Sequence, residues 1–275
     1  MDILNRLSPR RFREVDDLLA FVSIYDDSRR TRAYRSLLRS HTRLIRDSVC
    51  VEGGCGLGLF AVDMARLGAR KVYAVEQNPL MVKLARQRIQ RLPTSISRRI
   101  ELVELPLQQF RAPEHVNVLV HEFYGQLLYD EDLWVLDHLR FQPDCVLPDG
   151  GELRAGVLSS MLYRDRVVTA EVIEELEGVL VSGLFEGESR DLRQSVLRWE
   201  FGAGLVPVKH DLGRYKGDLL CFGLVVTHKG KRICEAGKCP NWSFVWTLRK
   251  GNEVSLRFRR AEAGMGMECL FGWKR

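Results

Sequence analysis

Val51-Glu52-Gly53-Gly54-Cys55-Gly56-Leu57-Gly58 is the stretch whose reading decides the fold, because three glycines at alternate positions join an apolar run to a helical one. Ser48-Val49-Cys50-Val51 upstream is short, apolar and β-branched, the pattern of a buried strand. Leu59 to Leu67 downstream carries helical spacing and stops at Gly68. Lys71-Val72-Tyr73-Ala74-Val75 then reads as a second strand ending at Glu76, with Pro79 to Arg91 as the helix behind it. Ile100 to Val103 and Val116 to His121 extend the alternation. Strands alternating with helices predict a parallel sheet, wound right-handedly with helices on both faces, an α/β unit of the Rossmann type.

The pattern changes on either side of that unit. From Phe12 to Ile45 the apolar residues Leu18, Leu19, Val22, Tyr25, Tyr34, Leu37, Leu38 and Ile45 recur at spacings of three and four. Asp26-Asp27-Ser28 interrupts them, which predicts two helices jointed near Asp27. After Leu147-Pro148-Asp149-Gly150-Gly151, strand-like runs (Leu219 to Thr227, Trp242 to Leu248, Val254 to Arg259) are separated by Lys-Gly, Gly-Lys and Lys-Gly-Asn turns, with a helix only near Ala170 to Leu180. The expected organisation is a helical segment at 1–47, a Rossmann domain at 48–149 and an antiparallel β domain at 150–275, packed together.

Composition narrows the partners. No apolar run is long enough for a bilayer-spanning helix and the first residues form no signal-peptide core, so a cytoplasmic protein without membrane contact is expected. Seven scattered cysteines read as reduced, buried thiols, and no cysteine or histidine cluster has metal-ligand spacing, so no metal is expected. The net charge of +6 is partly local: residues 1–47 hold eleven arginines against seven acids. A solvated helix face accounts for that better than a nucleic-acid partner does.

Two constellations carry chemistry. Gly54, Gly56 and Gly58 let backbone approach a bound nucleotide closely, and Glu76, at the tip of the second strand, can accept hydrogen bonds from both ribose hydroxyls. The spacing is neither the GxGxxG of a pyrophosphate cradle nor a P-loop. The second constellation is His121-Glu122-Phe123-Tyr124-Gly125-Gln126-Leu127-Leu128-Tyr129-Asp130-Glu131-Asp132 at the tip of the fourth strand, where open α/β sheets bind ligands. Glu122 and Glu131 can grip the planar fork of a guanidinium and leave one nitrogen with a more available lone pair. A surface acidic loop is the bland alternative. Asp130 and Asp132, as loop neighbours of Glu131, are expected to point elsewhere. His121 reads as a satisfied strand-end histidine, and Trp242 as core packing no less than a substrate wall.

In order and spacing, Val51 to Gly58, Lys71 to Glu76 and Glu122-x8-Glu131 resemble the protein arginine methyltransferases, whose paired glutamates form the "double-E" loop. Asp27-Ser28-Arg29-Arg30-Thr31-Arg32-Ala33-Tyr34-Arg35 resembles that family's segment ending in Thr-x-x-Tyr-Arg, and Pro240-Asn241-Trp242 stands where it carries Thr-His-Trp. The resemblance implies a Rossmann-type class I methyltransferase domain followed by an antiparallel, β-barrel-like domain, with S-adenosyl-L-methionine as cofactor. It implies Glu122 and Glu131 as the catalytic pair. Cofactor contacts are implied at Arg30 (to the methionine carboxylate), Glu52, Gly54, Cys55, Gly56, Gly58, Glu76, Gln77, Leu107, Gln108 (toward the adenine amine) and Glu122. Substrate contacts are implied at Tyr25, Asn241 and Trp242.

Departures from the family pattern are specific. Phe12 to Ile24 holds no Tyr-Phe pair at family spacing, Asn241 replaces the histidine, and Ile24 and Leu133 stand where product-determining methionines would. Ala170 to Trp199 is shorter than the family's dimerisation arm, though a homodimer is expected. The acceptor is expected to be arginine in a protein. Free arginine or another small guanidine is the alternative, since a basic chain is a poor electrostatic match for arginine-rich tails. A catalytically silent partner of an active homologue is a third reading, opposed by the intact Glu122, Glu131 and glycine turn. An RNA methyltransferase is a fourth, and the signals such enzymes often carry are absent.

Overall fold

Capping explains where the helices begin. A computed structural model of the chain describes residues 7–162, 164, 168–183, 192–261 and 266–273. Helix α1 (Pro9–Asp26) starts with Ser8 accepting from the Arg11 amide and proline at the first turn. Helix α2 (Ser28–Ser40) follows at once, because Asp27 stops α1 and accepts from the Arg29 and Arg30 amides at 3.1 and 2.9 Å. A short α3 (Thr42–Ile45) leads to β1 (Val49–Gly53). The joint expected near Asp27 is thus an N-cap. Residues 1–6 of the expected N-terminal segment lie outside the described residues.

The alternation predicted downstream is present: α4 (Leu59–Arg66), β2 (Lys71–Glu76), α5 (Pro79–Gln90), α6 (Thr94–Ser97), β3 (Ile100–Glu104), β4 (Val118–His121) and β5 (Cys145–Leu147). The five strands pair in parallel in the order β3-β2-β1-β4-β5. The strand order reverses between β1 and β4, and the crevice outside the carboxyl ends of those strands is where such sheets take ligands. Both faces of β1 and β4 are buried, as a helix-covered parallel sheet requires. Tyr34 of α2 stacks on Phe60 of α4 with ring centroids 5.3 Å apart, fastening the N-terminal helices to the sheet's covering layer.

The chain divides into two compact units, residues 1–122 with 139–147, and residues 123–138 with 148–275. In the second, β6 (Gly150–Leu158), α7 (Ala170–Glu174), β7 (Val181–Ser182), β8 (Gln194–Glu200), β9 (Gly204–Pro207), β10 (Leu219–His228), β11 (Lys231–Glu235) and β12 (Val245–Leu248) precede a hairpin of β13 (Val254–Arg260) and β14 (Met267–Trp273). The sheet runs β7-β12-β10-β6-β8-β9 with β11 also on β10, all antiparallel. Its spine, β10, is almost wholly buried, which accounts for its near-continuous apolar sequence. The expected helix over Ala170 to Leu180 ends at Glu174 and passes into turns. Within the stretch compared with a dimerisation arm, residues 184–191 lie outside those described.

One expectation about the cysteines is corrected. Cys234 and Cys239 are joined as a disulfide, because the turn after β11 folds back with the Cys239 amide on the Glu235 carbonyl and brings the two Cα atoms to 6.5 Å. Cys50, Cys55, Cys145, Cys221 and Cys269 take no part in a disulfide.

Phe222 on β10 has no exposed surface and meets Phe271 edge-on at 6.2 Å between centroids. Phe222→Ala is expected to lower unfolding stability by about 3–5 kcal/mol through lost burial and a residual cavity. Urea titration of the intact chain measures this, and a change below about 1 kcal/mol would mean that the site collapses without cost.

Candidate active site

The glycine turn is built by carboxylates on either side of it. Gly54, Gly56 and Gly58 have φ of 62, 50 and 69°, the left-handed region that only glycine enters freely. Glu52, at the end of β1, is buried and accepts from the Phe60 and Ala61 amides at 3.0 and 2.6 Å, so both its oxygens hold the first turn of α4. Glu76, at the end of β2, accepts from the Gly56 amide and the Asn78 amide, each at 2.8 Å. Cys55 is buried, its amide donating to the Val75 carbonyl at 3.0 Å. Burial pushes the Glu52 carboxyl up to about 8 against the two amides that favour its ionised form.

Two residues that sequence reasoning passed over also reach this turn. Arg88 of α5 donates to the Leu57 carbonyl at 2.7 Å. Phe21 of α1 lies so close to Gly56 that a Cβ there would fall 2.4 Å from its ring. Tyr25, expected at the substrate, stands one helical turn further on and accepts from the Leu57 amide at 2.9 Å. The i, i+4 spacing of Phe21 and Tyr25 was the available signal for an aromatic face on α1.

Arg30 of α2 is buried, and its Nε lies 2.6 Å from Glu122 Oε1. Asp27 caps this helix three residues before Arg30, so backbone geometry fixes where the guanidinium goes. Burial raises the Glu122 carboxyl to about 7, opposed by the positive charge of Arg30 and reinforced by the negative charge of Asp27. Gln77 is exposed just beyond Glu76. Leu107 is buried and Gln108 half-buried in a single 3₁₀ turn after β3. Arg30, Glu52, the glycine turn, Glu76 and Glu122 therefore gather around the carboxyl ends of β1, β2 and β4. His121 is buried at the end of β4.

In the other unit, Glu131 is exposed at the end of a tight loop in which Gly125 and Leu128 form a bridge. Asp130 turns inward and accepts from the Leu127 amide at 2.8 Å. Trp242 is buried and meets Tyr124 edge-on at 6.4 Å, while Asn241 beside it is half-buried in a turn. Tyr124 in turn donates to the Gly150 carbonyl at 2.9 Å.

Residues 51–122 match the family described as "Methyltransferase domain". Protein arginine N-methyltransferase 1 of Schizosaccharomyces pombe is 28% identical over 148 residues, 52% of this chain and 43% of that protein. A probable protein arginine N-methyltransferase 6.1 of Oryza sativa subsp. indica is 31% identical over 125 residues, 46% of this chain and 32% of that protein. About half of the chain is thus similar in sequence to these protein arginine methyltransferases. It spans less than half the length of these two curated methyltransferases. A crystal structure of PRMT6 shares the fold with a TM-score of 0.70, 14% identity, and coverage of 94% of this chain and 99% of that one. Arabidopsis thaliana protein arginine methyltransferase 10, at 15% identity and TM-score 0.62, covers 90% and 95%. A methyltransferase fold with an antiparallel β region is thereby shared across these proteins.

The Glu52 carboxyl makes the stability of this methyltransferase fold pH-dependent in a stated direction. Its folded value of about 8 lies above the ordinary 4.5, so the folded state holds the proton more tightly. The stabilisation is complete below the ordinary value and is lost as pH rises through about 8. Wild type should accordingly lose ground against Glu52→Gln between pH 5 and pH 8 in parallel urea titrations. A difference that is flat or grows with pH contradicts the assignment.

Proposed function

We propose that the chain is an S-adenosylmethionine-dependent methyltransferase whose acceptor is the guanidinium of an arginine in a protein. The observation that carries this reading is Glu122, a carboxylate held by buried Arg30 at the tip of β4, beside a glycine turn with three left-handed residues. The residues present fit the cofactor. Gly54, Gly56 and Gly58 keep the left-handed backbone of the turn, Glu76 ends β2 as an acceptor, and Arg30 offers a buried guanidinium suited to a carboxylate. The sequence relatives support the acceptor, and a structural neighbour from Trypanosoma brucei, at 16% identity and TM-score 0.61 over 93% of each chain, is an enzyme-prozyme heterotetramer with AdoHcy.

In this reading Gly54, Cys55, Gly56, Gly58, Glu76, Gln77, Leu107 and Gln108 hold the nucleoside portion, and Arg30 holds the amino-acid portion. When bound, the cofactor supplies a sulfonium methyl, which is electrophilic without help from a metal. Glu122 and Glu131 are the groups assigned to the acceptor guanidinium, and Tyr25, Asn241 and Trp242 to the remainder of the substrate. Ionised carboxylates draw the guanidinium charge toward the nitrogens they hold, leaving the attacking nitrogen richer in electrons. Orientation and preorganised charge then supply most of the rate. Self-association as a homodimer belongs to this proposal, with Met161 and Leu162, each about three-quarters exposed in a 3₁₀ turn after β6, as an apolar surface that a second copy would cover.

The test is incubation with labelled cofactor and three separate acceptors: a glycine-arginine-rich protein, free arginine and RNA. Label in the protein arginines supports the proposal, whereas label confined to free arginine, to RNA or to nothing removes the protein acceptor. Glu122→Gln and Glu131→Gln should each reduce turnover by about a hundredfold or more while most AdoHcy affinity is kept, as expected for a charge-assisted contact that orients the nucleophile. Full activity in either variant would contradict its role.

The raised value of Glu122 adds a pH signature. Its carboxyl titrates at about 7, so the ionised form needed for a cation is lost below that pH. kcat/KM for the arginine substrate should fall by about tenfold per unit as pH drops below 7. That limb should vanish from the residual activity of Glu122→Gln.

A further inference from the structure

The loop carrying Glu131 is closed from inside by its neighbour. Leu128 sits at φ 73°, a left-handed conformation that costs a branched side chain energy and needs support from its surroundings. That support is local. The Leu128 amide donates to the Gly125 carbonyl at 3.0 Å and the Tyr129 amide to the Leu127 carbonyl at 2.9 Å, so residues 125–129 reverse the chain within one tight turn. Asp130 then folds back across the turn, and its Oδ1 accepts from the Leu127 amide at 2.8 Å. The same oxygen occupies the space that a side chain at Gly125 would need, 2.0 Å from where a Cβ would be, and the Glu131 amide lies 3.0 Å from that point. Gly125, the Asp130 carboxylate and the Glu131 backbone therefore meet at one point.

We propose that Asp130 is a positioning residue for methyl transfer, a carboxylate latch on the Leu127 amide seated against Gly125 that sets the direction in which Glu131 leaves the loop. The inference rests on the assignment of Glu131 to the acceptor guanidinium. Asp130 acts by fixing the peptide that precedes Glu131, so a carboxylate otherwise on an exposed loop tip is presented in one orientation. Burial pushes the Asp130 carboxyl upward while the Leu127 and Asp130 amides favour its charge, as befits an internal cap more than a solvated side chain. Two further ties hold the ends of the loop: Tyr124 donates to the Gly150 carbonyl, and Tyr129 donates to Asp137 at 2.5 Å. With both ends fixed, the Asp130 latch decides the path between them.

A double-mutant cycle in the full chain tests this. Asp130→Ala is expected to lower kcat/KM for an arginine peptide by about tenfold or more while AdoHcy affinity, measured by calorimetry, stays unchanged. In a Glu131→Gln background Asp130→Ala should cost almost nothing further, because a residue that acts through Glu131 has nothing left to position. Asp130→Asn keeps an acceptor oxygen for the Leu127 amide and should recover most of the activity. Gly125→Ala pushes the carboxylate off its seat and should reproduce the Asp130→Ala defect. If Asp130→Ala does not fold, Gly125→Ala and Asp130→Asn in both backgrounds give the same decision.

Wild-type kcat/KM in Asp130→Ala alongside an inactive Glu131→Gln overturns the latch and leaves the acceptor assignment standing. Equal losses from Asp130→Ala in both backgrounds overturn it too, since a merely structural residue behaves that way. Failure of Asp130→Asn to recover activity removes the hydrogen bond as the cause and also overturns it. Full activity in Glu131→Gln instead overturns the assignment on which the inference rests.

Discussion

Everything in the first unit depends on holding open a backbone turn that few sequences can form. Three residues in the left-handed region, Gly54, Gly56 and Gly58, take the chain from β1 into α4. Such a turn exposes unsatisfied amides at the start of the helix, and the glutamates that end the two adjacent strands satisfy them. Glu52 reaches forward eight and nine residues to the Phe60 and Ala61 amides, and Glu76 reaches across to Gly56. A buried carboxylate is costly unless several donors surround it, which is why both sit where helix and turn amides converge. The result is a concave stretch of backbone with its polar groups already directed by the protein.

The second constraint is the ion pair between Arg30 and Glu122, both largely withdrawn from water. Burying two charges gains little net stability, because desolvation offsets most of their attraction. Its value lies in register. Arg30 sits three residues into a helix whose start is set by Asp27, so the cap, the helix and the guanidinium form one rigid chain leading to the tip of β4. Tyr34, one helical turn later, stacks on Phe60 and fixes the rotation of that helix. The short N-terminal helices thus contribute a functional group to the sheet as well as covering it.

Period and punctuation were readable in the sequence; reach was not. The alternation from Val49 to His121, the glycine spacing and the break at Asp27 each depend on neighbours close in the chain, and each appears where it was expected. That the Glu52 oxygens hold amides eight and nine residues on was not legible, because nothing local reveals it. Phe21 was missed because its importance lies in what it touches at Gly56, thirty-five positions away. Asp130 was read only as a loop neighbour pointing elsewhere than Glu131, and its inward turn was not foreseen. A left-handed Leu128 reverses the chain there, and a branched residue gives no warning of that conformation. Cys234 and Cys239 lack a familiar spacing, yet a reversal after β11 brings them together. In the β unit the apolar spine of β10 declared itself, whereas short edge strands such as β7 and β9 carry too few residues to set a period.

The two acids assigned to the acceptor differ in a way that bears on what they can accept. Glu122 is enclosed, with its carboxyl lifted to about 7, so near neutrality it stands between its neutral and ionised forms. Glu131 is exposed. A neutral acceptor would leave Glu122 in that divided state and gain little from it. A cation changes the balance, because a unit charge about 4 Å away contributes roughly 4 kcal/mol at an effective dielectric of 20, enough to hold the carboxylate ionised. Arg30 already supplies part of that stabilisation from within the fold, and a ligand carboxylate that engages Arg30 would draw some of it away. The enclosed acid would then depend more heavily on an incoming positive charge, so in the proposed reading occupation of the Arg30 side would sharpen a preference for a guanidinium.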